Sequence, residues 1–553
     1  MIAKNYDEID WAYSQKKLAV LQHDILEAYK KKDSHRILIT QNKLIRSFAA
    51  RSLAVRKVTS NKGAKTKGID GVSITTKVDK FKLIKELKNI SPSSYEAKPV
   101  RKVLIPKTPG KLRPLGIPTI LDRVVQTLYY FALDPIAEEQ ADIRSYGFRK
   151  YRSVNDCVIY LKLVLGNYTA TRRYVLKCDI KGFFPSVAHA WLLKNIPMNK
   201  TILEKFLKAG FVDNHIFNTT EEGFPQGSPI SPTLANMVLN GLSDCIGEEF
   251  RMTRYGDDFV ILGKTKEALL NEAYPKIQDF LKIRGLELEK TQVVEISEGF
   301  DFLGYHFREF YDPARIKGTK KGIFLVKPSK AKIQEFKKLI SKTVRENTKS
   351  PMYVLIQILN EKLRGWAEHY RTVTSQKAFS SIHYHVWNTT WAMLRKKHRT
   401  RNVKWILEKY YCKRLGNKWI LRCEQSDGKS EMTLFQIPYV EMRRHQLCDS
   451  GNPYDPENYE YFKRRLSRSA RYSILLGRMR SNLLKIQKGK CPVCTNSLLN
   501  GEDLEVHHIL PRKDGGSDKP KNLLLLHKEC HKQVTNSKNE NTIAIWRQQG
   551  IIK

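Results

Sequence analysis

Arg254-Tyr255-Gly256-Asp257-Asp258-Phe259-Val260-Ile261-Leu262 is an apolar run entered through a Gly-Asp pair. A strand, a tight turn and a second strand satisfy that pattern. The turn then carries two carboxylates at the tip of a hairpin. Adjacent carboxylates repel each other and raise the pKa of one unless a cation lies between them. Magnesium is the obvious cation, because it prefers carboxylate and phosphate oxygens. Taken alone, an Asp-Asp turn is usually a piece of solvated surface, so the rest of the chain must decide.

Charge decides the class of partner. The 553 residues hold 98 Lys+Arg against 56 Asp+Glu, a formal charge of +42. Such an excess repels itself in a compact protein and is relieved by a polyanion. RNA or DNA is therefore the expected partner. A membrane is not expected, since no stretch is long and apolar enough to span one and no basic amphipathic terminus stands out. The first residues lack an apolar signal core, so secretion is not indicated. Hydrophobic residues make up 41%, enough for real cores in about three to five folding units. Of nine cysteines, six are scattered and suit buried or free thiols in a reducing compartment; three cluster near the C-terminus.

From Trp11 to Val58, Leu18, Leu21, Ile25, Tyr29, Ile37, Leu44 and Phe48 recur near helical spacing. Cations fall between them, giving an amphipathic helix pair whose basic face suits either solvent or a nucleic-acid backbone. Asn61 to Val72 reads as a flexible, basic, Gly-rich loop. Arg101 to Pro118 reads as a hairpin around a Pro-Gly turn, bringing Lys107, Lys111 and Arg113 together. Cations on a rigid hairpin suit a triphosphate, although an exposed basic hairpin would look the same. A helix begins at Asp122-Arg123, and Ser145 to Arg149 is a loop. Tyr174 to Ile180 is a buried strand ending on Asp179. That acid could cap the next helix, but Ser186 is better placed to do so. Gly223 to Pro232 is a Pro/Gly loop leading into a helix from Leu234 to Leu242.

The order of these blocks resembles a group II intron reverse transcriptase, also called an intron-encoded maturase. The matching pieces are Ile105-Pro106-Lys107, Arg113 to Pro118, Ser145 to Arg149, Asp179 with Phe183-Phe184, Pro225-Gln226-Gly227 with Ile230-Ser231-Pro232, and Tyr255 to Asp258. Gly285-Leu286, Glu289-Lys290-Thr291 and Gly299 to Tyr305 complete the set, and Leu359 to Arg371 resembles the family's thumb, or maturase, region. The likeness runs from about Gly63 to the C-terminus. Gly256 stands where the family often has Ala, Ser228 where it has Gly, and Lys150-Tyr151 where Pro-Gly is common. Gly256 also matches many viral RNA polymerases.

The resemblance implies a palm in which Asp179, Asp257 and Asp258 converge. Asp179 and Asp257 would ligate two Mg2+ ions with Asp258 assisting; the ions activate a primer 3′-hydroxyl and stabilise leaving pyrophosphate. Lys107 and Arg113 would contact the dNTP triphosphate and Gln226 would line its pocket. Phe184 would exclude a ribose 2′-hydroxyl, specificity by obstruction. Trp366, Tyr370, Trp387 and Trp391 are interleaved with cations; core packing explains most of them, and the basic surface between them suits RNA.

Cys491-Pro492-Val493-Cys494 and His527-Lys528-Glu529-Cys530 have zinc-ligand spacing. Cys491, Cys494, His527 and Cys530 are assigned to a structural Zn2+, which supplies folding energy to a segment with a small core. His507, His508, Asn522 and His531 remain, and resemble the HNH nuclease motif. By that resemblance His508 is the general base, His507 and His531 hold a catalytic divalent ion, and Asn522 orients the loop or His508. A zinc finger that only binds DNA is the alternative.

The expected fold is thus multidomain α+β: a right-hand polymerase with fingers, palm and thumb, then a basic DNA-binding segment, then a small zinc-stabilised ββα-metal (HNH) domain. The expected limits are 1–95 for an N-terminal extension and the start of the fingers, 96–310 for fingers and palm, 311–400 for a helical thumb/maturase domain, 401–480 for DNA binding and 481–553 for the nuclease. The resemblance implies an RNA-directed DNA polymerase that promotes splicing of its own intron RNA and nicks double-stranded target DNA for target-primed reverse transcription, or retrohoming. Cytoplasm or nucleoid of a bacterium is the expected location, with an organelle matrix as the other option; oligomeric state is not specified. The rivals are an RNA-dependent RNA polymerase, a non-catalytic splicing factor, and an endonuclease with a scaffold polymerase half.

Overall fold

Tyr174–Ile180 lies inside a four-stranded antiparallel sheet whose order is Arg251–Tyr255, Asp258–Gly263, Tyr174–Ile180, Leu288–Glu295. The computed structural model of the chain describes residues 3–108, 111–167, 171–311, 322–414, 416–424, 431–448, 451–537 and 539–553. Successive side chains of a strand point to opposite faces, and here both faces are buried. Leu176, Cys178, Phe259 and Ile261 pack into one hydrophobic core, while Val175, Val260 and Leu262 pack into a second. A strand covered on both sides must be apolar at every position, which is why Phe259-Val260-Ile261-Leu262 reads as an unbroken run.

The first core joins the N-terminal helices, the Ile120–Glu139 helix and the C-terminal domain. The second joins the Val154–Leu165 helix, the Phe300–Phe302, Tyr305–Phe310 and Ile323–Pro328 strands, and the helices Lys330–Glu346, Met352–Tyr370 and Gln376–Lys397. Trp366 stacks on Phe336 at 5.3 Å between ring centroids, and Trp387 on Trp391 at 5.9 Å. These aromatics pack mainly against one another. The second core continues without a break into Ile406, Tyr411, Leu421, Leu434 and Ile437. Beside it, Val100–Thr108 and Lys111–Ile117 pair as the expected hairpin, extended by Phe211–Asp213 and Ile216–Asn218.

Three local expectations are corrected. The N-terminal segment is three helices, Trp11–Lys30, Ser34–Arg46 and Phe48–Thr59, not a pair. Ser47 is extended and its hydroxyl caps the third helix by accepting from the Ala50 amide at 3.1 Å. Ser186 caps nothing: it ends the short Phe183–Ser186 helix, and Ala188 precedes His189–Asn195. The Asn61–Val72 loop is pinned, with Arg123 donating to the Gly63 and Thr66 carbonyls and Arg101 to that of Lys67.

The segment after the helical region returns across the N-terminal half. Asp156, fully buried, accepts from Arg465, His445 and the Cys448 amide. Burial alone would raise its pKa, but these partners hold it below the usual carboxylate range. Tyr454 donates to buried Asp134, and Lys30 pairs with Asp455 at 2.6 Å. The C-terminal domain is a hairpin, Leu504–His508 with Leu523–His527, followed by the Lys528–Asn536 helix. Among the described residues, no helix is long and apolar enough to cross a membrane.

Candidate active sites at the sheet hairpin and in the C-terminal domain

Tyr255 pairs with Asp258, so Gly256 and Asp257 are the two residues of the turn. Gly256 has φ +67°, the left-handed conformation that glycine adopts at no steric cost. A β-carbon on Gly147 would fall 2.2 Å from the Gly256 nitrogen. The Ser145 to Arg149 loop therefore lies backbone to backbone against the hairpin, and only glycine permits that approach. Tyr146 N–H donates to the Arg254 carbonyl at 2.9 Å, and Asn236 donates to the Gly147 carbonyl at 2.9 Å.

Strand register sets the three acids at the same end of the sheet. Cys178 pairs with Phe259, and Asp179 pairs on its other side with Lys290. Asp179 thus follows the last residue matched to the hairpin strand, beside Asp258. Asp179 and Asp258 are exposed and Asp257 is half-buried. Hard carboxylate oxygens on the rigid end of a sheet suit magnesium, which keeps several sites for water and phosphate. Among the described residues, only the C-terminal cysteine–histidine group gathers three or more ligand atoms within 4.8 Å of one another; the three aspartates do not.

The nucleotide-pocket candidates lie at the junction of the basic hairpin and the Pro/Gly loop. Gln226 Oε1 accepts from Arg113 Nε at 2.6 Å, and the Gln226 carbonyl accepts from the Gly116 amide at 2.7 Å. Phe184 is buried, edge-on to Phe183 and Phe224 at 5.4 and 5.5 Å. Phe184 and Gln226 line one cavity of about 380 Å³ with Pro114, Leu115 and Pro225. The Lys107 side chain lies outside the described residues.

Sequence reasoning missed what holds the hairpin. Arg254 is fully buried in the strand leading to the turn. It donates to Asn240 at 2.9 Å and to the Gly256 carbonyl at 3.3 Å, and faces Asp142 at 3.7 Å. Burial lowers its pKa to about 10, so it stays charged at neutral pH. Nearby, Arg149 grips buried Glu138 with both arms, at 3.0 and 2.8 Å. An arginine directly before the Tyr-Gly-Asp-Asp turn was the available signal. Arg254→Met leaves the Asp142 carboxylate buried without its cation, and should cost about 3–5 kcal/mol. Denaturant unfolding checks this, with an unchanged midpoint as the contrary result.

In the C-terminal domain Cys491, Cys494, His527 and Cys530 are all buried, with their ligand atoms within 4.8 Å of one another. Cys494 Sγ lies 3.3 Å from His527 Nδ1. His527 Nε2 is 3.0 Å from the Ser497 carbonyl, which fixes Nε2 as the protonated nitrogen and leaves Nδ1 for a metal. Three soft sulfurs and one imidazole fit a tetrahedral zinc.

The remaining histidines flank this cluster. His507 and His531 have ring centroids 5.3 Å apart. Burial pushes His507 down to about 4, keeping it neutral, and His531 Nδ1 is 2.7 Å from Glu505. His508 Nε2 is 2.7 Å from Asp518, which sequence reasoning did not single out. Asn522 receives the Leu510 amide at 2.9 Å and donates to the Leu510 and Ser517 carbonyls at 3.0 and 2.9 Å. It braces the loop between the two strands.

Comparison with known proteins assigns these parts. Residues 105–307 match the reverse transcriptase (RNA-dependent DNA polymerase) family, 6–87 the N-terminal domain of reverse transcriptase, 333–411 the group II intron maturase-specific domain, and 491–537 the HNH endonuclease family. The chain is therefore an RNA-directed DNA polymerase joined to an HNH endonuclease. Protein YkfC of Escherichia coli (strain K12) is 35% identical over 318 residues, covering 48% of this chain and 83% of that protein. The group II intron-encoded protein LtrA of Lactococcus lactis subsp. cremoris is 25% identical over 563 residues, covering 83% of this chain and 87% of that protein. Maturase-like protein 1 of Euglena gracilis is 25% identical over 376 residues, covering 66% and 77%. The chain belongs to the group II intron-encoded reverse transcriptases with a maturase domain and a C-terminal HNH domain.

Proposed function

We propose that Asp179, Asp257 and Asp258 are the metal-binding acids of a right-hand polymerase, and that the nuclease domain supplies its primer by nicking DNA. The observation that supports this reading is strand register, which puts Asp179 across from Asp258 at the hairpin end where Asp257 forms the turn. Bound magnesium would activate the primer 3′-hydroxyl and offset charge on the leaving pyrophosphate. Asp179 and Asp257 hold the ions and Asp258 assists. Lys107 and Arg113 take the triphosphate, Gln226 lines the nucleotide pocket and Phe184 stands against the ribose 2′-position.

In the nuclease, His508 takes the proton from the attacking water, with Asp518 orienting its ring. His507 and His531 hold the divalent ion, and Asn522 keeps the intervening loop in place. Cys491, Cys494, His527 and Cys530 hold the structural zinc. Divisions at about 95, 310, 400 and 480 would separate the N-terminal extension with the start of the fingers, the fingers and palm, the helical thumb with maturase function, the DNA-binding segment and the nuclease. The basic surface of the 330–397 helices would contact the chain's own intron RNA and promote its splicing, and residues 401–480 would bind the double-stranded target. Bacterial cytoplasm or nucleoid, or an organelle matrix, suits these partners.

The test is extension of a DNA primer on an RNA template by the full chain, with dNTPs against NTPs. Preferential dNTP use is expected; efficient RNA synthesis would favour the RNA polymerase reading instead. Phe184→Val should raise NTP use relative to dNTP use on the order of tenfold to a hundredfold, the discrimination an apolar wall gives against one hydroxyl. An unchanged ratio in single-nucleotide incorporation would remove Phe184 from that role.

A further inference from the structure

Arg56 belongs to the Phe48–Thr59 helix, yet its guanidinium reaches the C-terminal cluster. Nη2 lies 3.1 Å from Cys530 Sγ, 3.8 Å from Cys494 Sγ and 3.0 Å from Glu502 Oε2. The residue is 4% exposed and its guanidinium lies over the Trp11 ring at 4.8 Å. Two more buried contacts join the same surfaces. Lys80 pairs with Glu529 at 3.0 Å, and Gln533 donates to the Asp7 and Ile9 carbonyls at 2.7 and 2.9 Å. Glu529, Cys530 and Gln533 share one helix, so the element that carries a cluster thiol also docks on the N-terminal domain.

Three thiolates and a neutral imidazole around a divalent cation leave a net charge of −1. Buried, that charge is costly unless it is paired. We propose that Arg56, from the N-terminal domain, is a positioning residue of the Cys491, Cys494, His527, Cys530 metal centre, its positive charge shared between the cluster and Glu502, so that metal loading and nuclease docking are one coupled event. Partners that bond to metal ligands raise metal affinity even though they do not touch the ion. Coupling is reciprocal: what tightens the metal must tighten the joint, and losing the metal must loosen it. This inference rests on the reading of the cluster as a metal centre.

The experiment uses the full chain as purified with zinc. Metal content is measured first, then zinc release to a chromogenic chelator in wild type, Arg56→Gln and Arg56→Lys. Arg56→Gln should weaken zinc affinity about tenfold to a hundredfold, with Arg56→Lys between it and wild type. Primer extension should stay within twofold of wild type in both. Independently of any variant, stripping wild type with chelator should speed amide hydrogen exchange in residues 48–59 and 77–86. Equal zinc affinity in wild type and Arg56→Gln, or exchange unchanged by stripping, would overturn the coupling while leaving the metal centre standing. A wild-type chain that binds no zinc would overturn the metal reading itself, and this inference with it.

Discussion

Asp257→Asn is expected to lower RNA-templated primer extension on the order of a thousandfold or more, comparable to removing a preorganised charge from a transition-state site. Asparagine keeps the size and turn preference of aspartate, so the hairpin should persist. The residue is half-buried, and a substitution away from the core usually shifts stability by about 0.5 kcal/mol or less. The loss should therefore appear in the chemical step with the unfolding midpoint and DNA nicking both intact. Single-turnover nucleotide addition at saturating dNTP measures it. A variant retaining a tenth of wild-type activity would show that Asp257 does not hold a metal, and the three-acid assignment would have to be abandoned.

His508→Ala should lower target nicking on the order of a hundredfold to ten-thousandfold, the usual range for a general base. His508 is aligned by Asp518, whose own carboxyl is held below its ordinary range by hydrogen bonds from His508 and Arg512. The alanine variant should keep its zinc, because His508 is not among the four clustered ligands. It should also extend a primer that already has a free 3′ end. The two halves of the enzyme are then separated by a single residue. Plasmid relaxation and primer extension on the same preparation provide the check, and nicking at wild-type rate would exclude His508 as the base.

The candidate acids and the cysteine–histidine group stood out in the sequence because each is locally marked. Asp179 lies near the end of an apolar strand and Asp257-Asp258 lead into another, and Cys491, Cys494, His527 and Cys530 follow a fixed spacing. What supports them was not legible, because the partners are distant in the chain. Arg254 needs Asp142 and Asn240, and Asp156 needs Arg465. No periodicity links such pairs; the fold alone brings them together. Asp518 was passed over for a related reason, since an acid in a Gly-rich loop reads as solvated until its histidine is seen beside it. Ser186 and the break at Ser47 depended on exact backbone angles, which residue preference does not determine.

The return of residues 445–465 over the N-terminal half limits how this gene product can be shortened. Ending the chain before His445 would remove the nuclease, but it would also strip Asp156 and Asp134 of Arg465, His445 and Tyr454. Both buried carboxylates would then lose partners, Asp156 keeping the Ser153 amide and hydroxyl. A chain shortened to remove the nuclease should therefore keep that crossing stretch, or have both acids neutralised, to retain its stability.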